Sequence, residues 1–225
     1  MALCLAGRVD LQHGLPVLVE ACVETVASAV AAERGGARRL ELCANLADAG
    51  TTPSAGTIAA VKACVTIPVF VIIRPRGGGF VYSDSELDVM RRDIAEAQRL
   101  GADGIVIGVL RDDARVDEVR TRMLVAAAGA LPVTFHRAFD ATPDQSEALE
   151  TLVACGVRRV LTSGGAATAL EGADRLGALV VQSAGRIGVL AGGAIWKEQI
   201  PELVRRSGVT EIHVRWTRFA RTHGA

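Results

Sequence analysis

Lysine is nearly missing from this chain of 225 residues. Only Lys62 and Lys197 occur, both in helix-like segments, which excludes an aldolase-type Schiff base on a strand lysine. Net charge is missing too: 25 acidic residues balance 25 basic ones, leaving no global field for nucleic acid or an anionic membrane surface. No apolar run approaches the roughly 20 residues of a membrane span. The opening segment lacks a basic stretch followed by a sustained apolar one, so no secretory signal is expected; residues 1–16 read as a flexible leader before a single domain over residues 17–225. There is no C-x-x-C, no Walker loop and no H-E-x-x-H. The cysteines number five, an odd count that fits reduced thiols in a cytoplasmic protein better than a disulfide framework.

What is present is a hydrophobic half of the composition, cut into strand-length runs that alternate with helix-period segments. Strands are expected at residues 17–22, 39–43, 67–74, 103–108, 132–136, 158–163, 186–192 and 211–214. Seven helical segments separate them, one opened by the capping residues Ser83-Asp84-Ser85-Glu86. Strict β and α alternation implies parallel strands joined by right-handed crossovers, and eight strands predict an α/β fold of the TIM-type (β/α)8 barrel class. A doubly wound open sheet is the rival, weakened by the absence of a G-x-G-x-x-G turn after the first strand. Little chain follows the last strand, so the barrel is expected to be incomplete at its eighth helix, with a second copy in a homo-oligomer as one way to cover the gap. The arginines near the end, Arg205, Arg206, Arg215, Arg218 and Arg221, read as a solvated face.

The first two strands repeat one pattern, Val19-Glu20-Ala21-Cys22 and Leu40-Glu41-Leu42-Cys43. Alternation puts Glu and Cys on one face and the aliphatic residues on the other, so two carboxylates and two thiols project together into the barrel, where unpaired charge is costly. At the C-terminal strand ends, where barrel chemistry sits, Arg74, Arg76, Thr134, His136, Ser163 and His213 join them, with Asn45, Arg137 and Asp140 just beyond. Several readings stand open. In one, Arg74 and Arg76 are the counter-charge of Glu20 and Glu41 in an ion network without turnover. Alternatively Glu20, Glu41, His136 and His213 act as acid and base or hold a divalent ion, while Arg74 and Arg76 hold a small phosphate- or carboxylate-bearing substrate. The turns Thr162-Ser163-Gly164-Gly165 and Ala191-Gly192-Gly193-Ala194 would add backbone donors for that anion. The loop of residues 76–84, with three glycines and two aromatics, has the makings of a lid.

The chain resembles the CutC copper homeostasis family. The resemblance is carried by Arg39-Leu40-Glu41-Leu42-Cys43-Ala44-Asn45-Leu46, Gly50-Thr51-Thr52-Pro53-Ser54, Ile73-Arg74-Pro75-Arg76-Gly77-Gly78, Thr134-Phe135-His136-Arg137-Ala138-Phe139-Asp140, Leu161-Thr162-Ser163-Gly164-Gly165 and Glu211-Ile212-His213. It implies a cytoplasmic TIM-type barrel linked to copper handling, with copper binding but no established reaction. By position the family's motif residues are Glu20, Glu41, Cys43, Arg74, Arg76, His136, Arg137, Asp140 and His213. Val214-Arg215-Trp216 departs from the family pattern, and Arg215 is expected to narrow the site. Because soft thiolates suit Cu(I), Cys22 and Cys43 are the expected copper ligands.

Overall fold

The computed structural model describes residues 17–216; the expected leader and the segment after Trp216, where an eighth helix would fall, lie outside the described residues, as do Arg218 and Arg221. Eight strands, β1 (Leu18–Val23), β2 (Arg39–Leu42), β3 (Val69–Ile72), β4 (Gly104–Ile107), β5 (Val133–Phe135), β6 (Arg159–Thr162), β7 (Gly188–Gly192) and β8 (Glu211–Arg215), alternate with seven helices. These are α1 (Val26–Arg34), α2 (Ala55–Cys64), α3 (Asp84–Arg99), α4 (Glu118–Ala128), α5 (Gln145–Ala154), α6 (Ala173–Ser183) and α7 (Ile200–Ser207). All pairings are parallel and in chain order, and β8 pairs back onto β1, so the sheet is a closed barrel with no edge. The open doubly wound sheet is thereby excluded.

Local chemistry sets the helix starts. Ser83 caps α3 and Glu86 returns a bond to the Ser83 amide, the reciprocal box expected from Ser83-Asp84-Ser85-Glu86. Thr25 and Ser28 do the same for α1, and Asp117 and Asp144 cap α4 and α5. Outward strand residues such as Ala21, Leu40, Leu42, Val71 and Ile105 are fully buried against the helices, forming one of two large apolar clusters.

The inward face is unusually polar, and glycine makes room for it. A Cβ on Gly104 would stand 2.5 Å from the Phe70 ring, and one on Gly108 would stand 2.1 Å from the His136 imidazole. Gly108→Ala should therefore push His136 off its seat, at a cost of about 1–3 kcal/mol. Thermal unfolding checks it: a Tm lower by several degrees is expected, roughly 2–4 °C per kcal/mol for a chain of this size.

Candidate metal and ligand site

Closure of the barrel brings residues nearly two hundred positions apart into one register, Glu20 beside Arg39 on one side and beside His213 on the other. From the lower barrel upward, Arg159 Nε donates to Glu211 Oε2 at 2.6 Å and Arg39 Nη2 donates to the same oxygen at 2.6 Å. Arg39 Nε then donates to Glu20, whose other oxygen lies 2.8 Å from His213 Nδ1. His213 Nε2 faces Glu41 Oε2 at 3.5 Å. The counter-charge of the buried carboxylates is thus Arg39, helped by His213, and not Arg74 or Arg76. Sequence reasoning passed over Arg39, Arg159 and Glu211, although the alternation that placed Glu41 inside places Arg39 there as well.

Above this column sit the thiols. Cys22 and Cys43, both buried, have their Sγ atoms 3.6 Å apart, and with a Glu41 oxygen their ligand atoms all fall within 4.8 Å of one another. Burial pushes the Glu20 carboxyl up, but the His213 hydrogen bond and the charges of Arg39 and His213 outweigh it and hold it at about 2. The hydrogen bond from Cys43 lowers Cys22 to about 5 against the opposing effect of burial, with His213 adding to the shift. Cys43 keeps its proton because it donates to Cys22 and is buried, and burial together with the Cys22 charge drives Glu41 up. His213 is raised: burial works against its charge, and the charge of Glu41 and hydrogen bonds to Cys22 and Glu20 overcome it. The column then reads as alternating charges, with a thiolate at its upper end.

A cavity of about 340 Å³ opens over the thiols at the C-terminal end of the barrel. Glu41, Arg74, His136, Arg137, Gly193 and His213 line it, as do Cys22 and Cys43. Glu20 lies beneath His213 and does not reach the cavity wall. Arg215 borders it and donates to the Leu46 carbonyl at 2.6 Å while remaining exposed, as do Arg205 and Arg206, which pair with Glu202 and Asp174.

Arg76 lies away from the cavity. Its guanidinium binds Glu86 and the carbonyls of Gly77, Gly79 and Val81, and stacks on Tyr82, so it clamps the loop of residues 76–84 onto α3. The turn after β6 is already filled from within: Asp140 accepts from the backbone amides of Ser163 and Gly165 and from Thr162 Oγ1, while Arg137 donates to Asp140 and to Ser163 Oγ. The Gly164 amide donates to Thr162 Oγ1. In this turn, then, the donors expected to cradle an external anion are taken up by Asp140 and Thr162. Gly192 acts by absence, since a Cβ there would meet Leu161 at 2.5 Å and His213 at 3.3 Å. Thr134 lies lower in the barrel, accepting from Arg159 at 3.3 Å. Asn45 bonds Asp48.

His136 behaves differently from His213. Burial and the neighbouring Arg74 charge lower it to about 3, so it is neutral in the fold. Its depressed pKa means the unfolded chain binds a proton that the folded chain refuses, so stability falls as pH drops from about 6.5 towards 3. Urea titrations across that window should show a slope of up to about 1.4 kcal/mol per pH unit that is missing in His136→Gln. An unchanged slope in the variant would assign the acid lability elsewhere, Glu20 being the next group to lose its contribution as pH falls below about 4.5.

With this geometry established, the relatives of the chain carry weight. Residues 17–217 match the model of the CutC family. The copper homeostasis protein cutC homolog of Homo sapiens is 52% identical over 208 residues, covering 92% of this chain and 76% of that protein. A CutC family protein of Xanthomonas axonopodis pv. citri is 49% identical over 195 residues, 87% of this chain and 81% of its own length. The crystal structure of a CutC protein from Streptococcus agalactiae matches with TM-score 0.84 and 36% identity, covering 88% of this chain and 97% of that one.

Proposed function

The chain belongs to the CutC copper homeostasis family, and from that membership we propose that it binds Cu(I) as cargo through Cys22 and Cys43 at the mouth of the barrel. The observation that carries this reading is the thiol pair itself, with Sγ atoms 3.6 Å apart, both buried and backed by Glu41. Soft thiolates select Cu(I), whereas a harder divalent ion would lean on Glu41 and the carboxylate side of the group. The hydrogen bond from Cys43, with His213 adding to it, readies Cys22 as a thiolate, so little proton work precedes binding. A reducing cytoplasm, which keeps both thiols free, is the setting that suits the site. Among the described residues no helix is long and apolar enough to cross a membrane. Anaerobic titration with Cu(I) and, separately, with Zn(II) tests the reading. One tightly held Cu(I) per chain with weak Zn(II) binding is expected, and a preference for Zn(II) would turn the site over to the harder ion.

A second reading, an enzyme acting on a small substrate, is favoured by one arrangement. Cys22, His213 and Glu20 stand in the order of nucleophile, base and orienting carboxylate. It predicts that iodoacetamide alkylates Cys22 below the ordinary thiol range and ahead of Cys43. Equal, slow reaction of both thiols at pH 6–7 would count against it.

A further inference from the structure

In the same cavity as the thiols, Arg74 and His136 each bury an N–H donor that makes no hydrogen bond. Ala138 N–H donates to His136 Nδ1 at 3.1 Å, so in the neutral ring the proton sits on Nε2, and that atom has no partner. Arg74 is 4% exposed. Its Nη1 donates to the carbonyls of Asp48 and Gly50 and its Nη2 to that of Gly78, while Nε makes no hydrogen bond, nor does the Tyr82 hydroxyl near this guanidinium. No ion pair among the described residues engages this guanidinium. A buried donor left unmet is costly, and a buried charge without a counter-charge is costlier still. The Phe80 ring lies against both groups, 5.0 Å from the His136 centroid and 5.3 Å from Arg74 Cζ, and belongs to the loop of residues 76–84.

We propose that His136 and Arg74 form a binding site for a small organic carboxylate, which accepts from His136 Nε2–H and Arg74 Nε–H when Phe80 swings aside. The chemical class follows from the wall. One buried positive charge without a carboxylate partner, that of Arg74, matches a monoanion. The backbone turn suited to a phosphate is occupied by Asp140. Ile72, Leu161 and Ile195 give the rest of the cavity apolar sides for a short hydrocarbon body. The two donors share no atom with Cys22 and Cys43, so the site is tested apart from copper binding.

Side-chain 1H–15N NMR of the histidine Nε2–H in the full chain tests this, with butyrate, its neutral isostere butyramide and inorganic phosphate as probes. Butyrate is expected to move the His136 resonance downfield and saturably, with butyramide and phosphate at least about tenfold weaker, as loss of a charge-assisted hydrogen bond requires. His136→Gln should weaken butyrate binding, read by calorimetry, by a similar factor. Since Arg74 also holds three loop carbonyls and its removal endangers the fold, the wild-type resonance remains the primary readout. No saturable shift up to about 100 mM, well above the roughly millimolar affinity of so small a fragment, would overturn the proposal. Equal shifts with butyramide or phosphate would overturn the carboxylate assignment. The butyrate titration is made on the metal-free wild-type chain under reducing conditions, so a failed Cu(I) titration leaves this result standing.

Discussion

Cys22→Ser/Cys43→Ser is expected to abolish tight Cu(I) binding while the barrel stays folded. Two thiolates supply the softness the ion requires, and serine hydroxyls at the same positions offer hard, protonated oxygen. Glu41 alone, a hard oxygen donor whose carboxyl burial and the neighbouring Cys22 push upward, cannot replace them. Competition against a colorimetric Cu(I) chelator measures the loss, which should amount to orders of magnitude, and circular dichroism monitors the fold. The single variants should divide unequally. Cys22→Ser removes the group that His213 keeps ionised, and Cys43→Ser removes the donor that lowers Cys22. If the double variant binds Cu(I) as the wild type does, the thiol reading is wrong, and the pair is a buried hydrophobic contact like many others.

Arg39→Met is expected to be the most destabilising single change in the barrel interior. It removes the cation that joins Glu20 to Glu211, both inside the strand ring, and leaves each carboxylate with one fewer partner. Breaking a buried pair costs about 3–5 kcal/mol. For a chain of this length that corresponds to a Tm lower by roughly 6–20 °C. Arg39→Met combined with Glu20→Gln should cost less than the sum of the two, because the expense lies in the uncompensated charge rather than in the lost volume. Strict additivity would mean that the two side chains act independently and that the column is no network. The column also bears on the thiols. His213 keeps its proton partly through Glu20, so loosening that contact should raise the Cys22 pKa, which the pH dependence of thiol alkylation reports.

The eight strands and the barrel were legible because alternation of period 2 and regular helix spacing are local signals that each segment carries by itself. The same alternation placed Glu41, Cys43, His136 and His213 on the inner face of their strands. It carried equal information for Arg39, Arg159 and Glu211, whose charge and lower position drew attention away from them. Pairing was another matter. Glu20 and His213 are separated by 193 positions and meet only because β8 closes on β1. Nor does any local pattern reveal that Asp140 folds back into the turn after β6, or that Arg76 turns towards α3 while Arg74, two residues earlier, is buried at the cavity. Sequence by itself determined the fold class and which residue types face inward, since periodicity encodes a direction for every side chain. Only the tertiary structure decided which charges neutralise one another and which donors remain unmet, because partner choice depends on strand closure and loop path, and those are properties of the whole chain.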